Sequence, residues 1–99
     1  MTTARQAVQD LLTFIDASPS PWHAVAQIEQ RLQAFDFLRL EEHQPWQLTG
    51  SGRYYVIRDD SSIVIFVVGS QPCAEHGMRL IGAHTDSPGL RIKPNPILY

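Results

Sequence analysis

Cysteine occurs once in the 99 residues, at Cys73, which rules out an internal disulfide and fits a reducing, cytoplasmic compartment. Long hydrophobic runs are missing as well. The longest, 63–68, is far too short to cross a bilayer, and the opening MTTARQAVQD lacks the apolar core of a signal peptide. There is no surplus of basic charge: eight Lys and Arg against ten Asp and Glu give a net charge of −2 and a pI near 6.0. Arg58, Arg79, Arg91 and Lys93 are dispersed rather than clustered. That excludes the electrostatic footprint of a nucleic-acid or anionic-membrane binder. With six Gly, seven Pro and no repeat or low-complexity tract, the chain is an ordinary globular one, disordered at most at its ends. Its length allows one small domain, which buries roughly 60–70% of the surface its unfolded chain exposes.

What is there begins with helical periodicity. Val8, Leu11, Leu12 and Ile15 mark one face of a helix over 3–17. Ser18-Pro19-Ser20-Pro21 ends that helix and starts another, with Ser20 as N-cap and Pro21 in the first helical position. Val25, Ile28, Leu32 and Phe35 continue a second apolar stripe to about Asp36. Beyond a polar loop containing Trp46 and Leu48, the pattern predicts a strand over 53–58, a turn over 59–62 and a strand over 63–69, paired as a hairpin. The second of these strands is apolar on both faces and needs cover on both. A loop over 70–77 then leads to a third strand, 78–83, and a fourth short one, 90–93. Two helices followed by strands give an α/β chain, or α+β as an isolated unit.

The third predicted strand delivers Gly82-Ala83-His84-Thr85-Asp86-Ser87-Pro88-Gly89. In extended geometry His84 and Asp86 share a side. A neutral imidazole can bind a metal through one nitrogen while its other N–H is donated to a carboxylate. The end of a strand is where open α/β sheets hold ligands. From spacing alone, however, a His-x-Asp pair fits a hydrogen-bonded loop histidine better than a metal ligand.

The stretch GAHTDSPGLRIKP resembles the first metal-site motif of the aspartyl aminopeptidase family of zinc metallopeptidases, and SPSPWHAV, residues 18–25, is similar to that family's N-terminal motif. The resemblance covers nearly the whole chain. It implies a cytoplasmic, homo-oligomeric exopeptidase that removes an N-terminal residue, often acidic, from a peptide substrate with two metal ions in an α/β catalytic domain. It makes His84 a zinc ligand and Asp86 the catalytic carboxylate that orients it. It also implies that residues 1–99 are the opening portion of that domain. The bridging Asp, the general-base Glu and the other ligands would then lie beyond Tyr99, and the 99 residues alone would be inactive. The alternative is a stand-alone or truncated module that works by protein-protein association through open sheet edges, with His84 a loop residue.

The other candidates read as structural. His23 packs a helix start, Cys73 and His76 form an incomplete zinc pair in a loop, His43 is solvated and Ser87 is a turn residue. Arg91 and Lys93 fit a solvated strand edge better than a lure for an acidic substrate side chain.

Overall fold

The computed structural model describes residues 3–97. Helix α1, Ala4–Asp16, opens on a capping box: the Thr3 hydroxyl accepts the Gln6 N–H, and the Gln6 side chain accepts the Thr3 N–H. Helix α2, Pro21–Ala34, begins where the Ser20 cap and the proline predict. It closes at Asp36, whose φ of 62° lets the Phe37 N–H reach back to the Leu32 carbonyl at 3.0 Å. Strand β1, Leu38–Arg39, runs parallel to β2, Arg53–Arg58, which pairs antiparallel with β3, Ser62–Val67. The result is two helices and a mixed three-stranded sheet in the order β1-β2-β3, an α/β arrangement as predicted.

The core centres on β2, where Tyr54, Tyr55 and Val56 are all buried. Neighbouring strand residues point to opposite faces, so three buried in a row means that both faces are covered. Tyr55, only 1% exposed, meets α2. Its hydroxyl donates to Glu29 Oε2 at 2.8 Å and accepts from Gln33 Nε2 at 3.2 Å, while Arg39 of β1 donates to the same Glu29 oxygen at 3.2 Å. Burial, reinforced by the Glu29 carboxylate, pushes the Tyr55 phenol above its ordinary value. On the other face the Tyr54 hydroxyl accepts the Thr49 N–H at 3.0 Å, and its ring lies 5.6 Å from that of Phe66, which in turn lies 6.3 Å from Trp46. The polar loop before β2 is therefore the second cover. Gly52 makes it fit, because a Cβ there would fall on the Tyr54 phenol.

Beyond β3 the expectations fail in part. The strands predicted over 78–83 and 90–93 do not form, and Leu80, Ile81, Leu90 and Ile92 are all at least 85% exposed. The alternation is present but no neighbouring strand receives it among the described residues, and an unpaired strand gains no ladder hydrogen bonds. In the loop predicted over 70–77, Cys73–His76 forms a one-turn helix, α3. Strand β1 was not predicted: two residues are too few to show a period, and β1 exists because β2 pairs with it.

Helix α1 is joined to α2 by a polar clasp. Arg31 donates to both carboxylate oxygens of Asp10, at 2.8 and 2.9 Å, and its guanidinium lies 5.2 Å from the centre of the Phe14 ring. The stripe of Val8, Leu11, Leu12 and Ile15 is exposed. The hydrogen bonds from Arg31 hold the Asp10 carboxyl below its ordinary value of 3.8. A depressed carboxyl stabilises the folded state above its unfolded pKa and loses that contribution as pH falls through the folded one. Docking of α1 on α2 should therefore be constant above about pH 4 and loosen below it. Contacts between Phe14 and α2 that persist unchanged to pH 2 in nuclear Overhauser spectra would refute the clasp.

Candidate metal and substrate site

The two sequence motifs meet in space. Ser18, Pro19, Ser20, Pro21 and Trp22 form one wall of a cleft of about 530 Å³, and Thr85, Asp86, Ser87 and Arg91 form the other. The first wall is rigid for local reasons. Two prolines fix the backbone between the helices, and the Ser20 side chain caps α2 by accepting the His23 N–H at 3.3 Å while hydrogen-bonding His23 Nδ1 at 2.6 Å. His23 is thus engaged at the helix start. Trp22 stays half-exposed, and the Ser18 hydroxyl oxygen is sealed from solvent without a hydrogen-bond partner.

The second wall has no regular secondary structure. Thr85 anchors it: its hydroxyl donates to the Ser61 carbonyl in the β2–β3 turn at 2.9 Å. Beside it, His84 Nδ1 lies 2.6 Å from the Asp86 backbone carbonyl and 3.2 Å from Asp86 Oδ1. Both groups only accept hydrogen bonds, so Nδ1 carries the proton. In the neutral ring that leaves the Nε2 lone pair free, and both side chains are open to solvent, 78% exposed. An imidazole held at one nitrogen by the Asp86 main-chain carbonyl, with the Asp86 carboxylate 3.2 Å away, and free at the other nitrogen is in the state a metal-ligating histidine needs. The donor set therefore fits zinc as one ligand with its orienting partner. Among the described residues no three His, Cys, Asp or Glu side chains converge on a point that could hold an ion. Cys73 and His76 sit together on exposed α3, without a further donor.

Comparison with known proteins decides the family. A family profile described as "Aminopeptidase I zinc metalloprotease (M18)" matches residues 14–98. The chain belongs to the M18 family. It is 53% identical over 90 residues to the probable M18 family aminopeptidase 2 of Stutzerimonas stutzeri (strain A1501), a match that takes in 91% of this chain and 21% of that protein. Over 93 residues it is 50% identical to the protein of the same name from Ectopseudomonas mendocina (strain ymp), covering 94% of this chain and 22% of that one. The chain thus spans about a fifth of the length of these M18 relatives. Among solved structures it resembles Chaetomium thermophilum mApe1 with a TM-score of 0.60 and 32% identity, over 62% of this chain and 14% of that one. The cryo-EM structure of the Ape4 and Nbr1 complex gives the same TM-score, with 35% identity over 62% of this chain and 12% of that one. The resemblance to aspartyl aminopeptidases, themselves M18 proteins, is therefore correct.

Sequence reasoning did not single out Ser18, Trp22 or Thr85 as site residues. The first two lie inside the quoted SPSPW motif, but only the folded chain brings that motif opposite HTDSP. Arg91, read as a solvated edge charge, lines the cleft and has no ion-pair partner among the described residues. The geometry at His84 predicts the Nδ1–H tautomer in the metal-free chain. Long-range ¹H–¹⁵N correlation at a pH where the ring is neutral should show it, and an Nε2–H pattern would contradict the arrangement.

Proposed function

We propose that the full-length protein is a zinc-dependent aminopeptidase acting on peptides, in which residues 1–99 are the opening portion of the catalytic domain, His84 is a metal ligand and Asp86 is the carboxylate that orients it. The observation that carries this reading is the His84 ring, held at Nδ1 by Asp86 and free at Nε2, beside a cleft walled by both M18-like motifs. Zinc, when bound, supplies Lewis-acid polarisation of a peptide carbonyl and of a water molecule. A complete site needs three or four protein ligands per ion, so the remaining ligands, and those for a second ion, belong to sequence beyond this chain.

The residues present have defined tasks. His84 contributes a neutral nitrogen donor. Asp86 receives the Nδ1–H on its main-chain carbonyl, which fixes the tautomer, and its carboxylate, 3.2 Å from the same nitrogen, raises the basicity of Nε2. Arg91, which has no ion-pair partner among the described residues, offers a cation on the cleft wall to a carboxylate side chain at the substrate's N-terminal residue, which favours acidic substrates. The enzyme is further proposed to be cytoplasmic and homo-oligomeric. Among the described residues, no helix is long and apolar enough to cross a membrane. The exposed stripe of α1 and the exposed side chains of β3 suit a larger domain or assembly that covers them.

Substitution tests the assignments in the full-length protein. His84→Ala should abolish aminopeptidase activity and remove a zinc equivalent by metal analysis. Asp86→Asn should weaken metal affinity or activity by about 10–100-fold. A His84→Ala protein with full zinc content and activity would defeat the reading. Arg91→Ala should lower kcat/KM for N-terminal Asp or Glu relative to Ala by about tenfold, the worth of one exposed charge contact strengthened by partial desolvation. An unaltered ratio would remove Arg91 from substrate selection.

A further inference from the structure

Thr85 stands between the two residues assigned to the metal site, yet its hydroxyl bonds to the hairpin turn rather than to either of them. From Gly69 to Ile97 every residue is exposed except Thr85, which is half-buried. Its hydroxyl donates to the Ser61 carbonyl at 2.9 Å, across 24 positions of sequence. Among the described residues no strand pairing holds this segment, because the predicted strand that would deliver His84 does not form. Among the described residues, its one side-chain hydrogen bond to the hairpin is that of Thr85.

The acceptor is well placed to act as an anchor. Ser61 closes the β2–β3 turn through its N–H to the Arg58 carbonyl at 3.2 Å, and Asp59 and Asp60 both hold φ at 54° within that turn. Positive φ at two successive residues is the signature of the tight turns that match hairpin twist, and aspartate tolerates it better than most side chains. The turn is in turn fixed by the six-residue register of β2 with β3. A chain of constraint therefore runs from the core strand, through the turn, to Thr85 and the residues on either side of it.

We infer that Thr85 is a positioning residue of the metal site: its hydrogen bond to the hairpin turn fixes the backbone on which His84 and Asp86 are mounted. This rests on the reading of His84 as a zinc ligand. Removing the hydroxyl leaves both ligand-side residues intact but lets their backbone move, so the expected loss is in metal affinity. Outer-shell partners of metal ligands are typically worth about 10–100-fold in that quantity.

The test is zinc affinity of the full-length protein, measured by competition with a chromophoric chelator on wild type, Thr85→Val, Thr85→Ser and His84→Ala. Thr85→Val, nearly isosteric without the hydroxyl, should bind zinc about 10–100-fold more weakly. Thr85→Ser should bind within about threefold of wild type, because it restores the donor. A purely structural role would instead lower the melting temperature of the zinc-free protein in step with the affinity. Should Thr85→Val not fold, one glycine inserted between Asp60 and Ser61 displaces the acceptor and should cause the same loss. Wild-type affinity in Thr85→Val or in the insertion variant, alongside lost binding in His84→Ala, overturns the tether alone. Wild-type affinity in His84→Ala overturns the ligand assignment beneath it.

Discussion

Everything that positions the site depends on β2 being covered on both faces at once. Tyr55 turns one way and is fixed by Glu29 and Gln33, which sets where α2 lies. Tyr54 turns the other way and is fixed by Thr49, which sets the path of the loop entering the strand. Once α2 is placed, its first residues, Pro21 and Trp22, and the loop before it, Ser18 to Ser20, have their position. Once β2 is placed, so are β3, the turn at Ser61 and the segment that Thr85 fastens to it. The cleft lies between the start of α2 with the loop before it and the segment tied to the β2–β3 turn, so both walls are placed through elements packed on β2.

The rest of the surface is unusually apolar for so small a unit. A compact domain of about 100 residues has a radius of gyration near 13 Å, and here it is 17.8 Å. The α1 stripe and the side chains of Val64 and Val67 on β3 remain open. Burial of apolar area is the main favourable term in folding, so these surfaces are the ones that the larger domain or assembly proposed above would cover. The same imbalance accounts for the missing strands over 78–83 and 90–93. Strand pairing is non-local, and the pattern in Leu80 and Ile81 encodes a face for a sheet that the described residues do not complete.

The legible parts of the sequence were those written locally. Ser20 and Pro21 announced the start of α2 because capping and proline geometry act within one turn. The hairpin was legible from Asp59-Asp60-Ser61-Ser62 between two apolar runs. The roles of Thr49 against Tyr54 and of Trp46 against Phe66 were not, since a polar, aperiodic loop carries no sign of what it will cover. At the site, His84 and Asp86 stood out through their spacing and through family resemblance. Thr85 and Ser18 did not, because a threonine hydrogen-bonded to a distant carbonyl and a serine oxygen left without a partner have no local signature. Arg91, read as solvent-facing, is exposed, and its place on the cleft wall shows only once the opposite wall is folded against it.

The partner of Thr85 is a main-chain carbonyl, and that has an evolutionary consequence. Any amino acid at position 61 presents the same oxygen, so the side chain there is free to drift while the contact survives. Paired substitution between positions 61 and 85, the usual trace of two touching residues, should therefore be missing from related sequences. Selection would act instead on the hydroxyl at 85 and on the number of residues in the turn, so that deletions and insertions between Asp59 and Ser62 would be purged more strongly than changes of residue type.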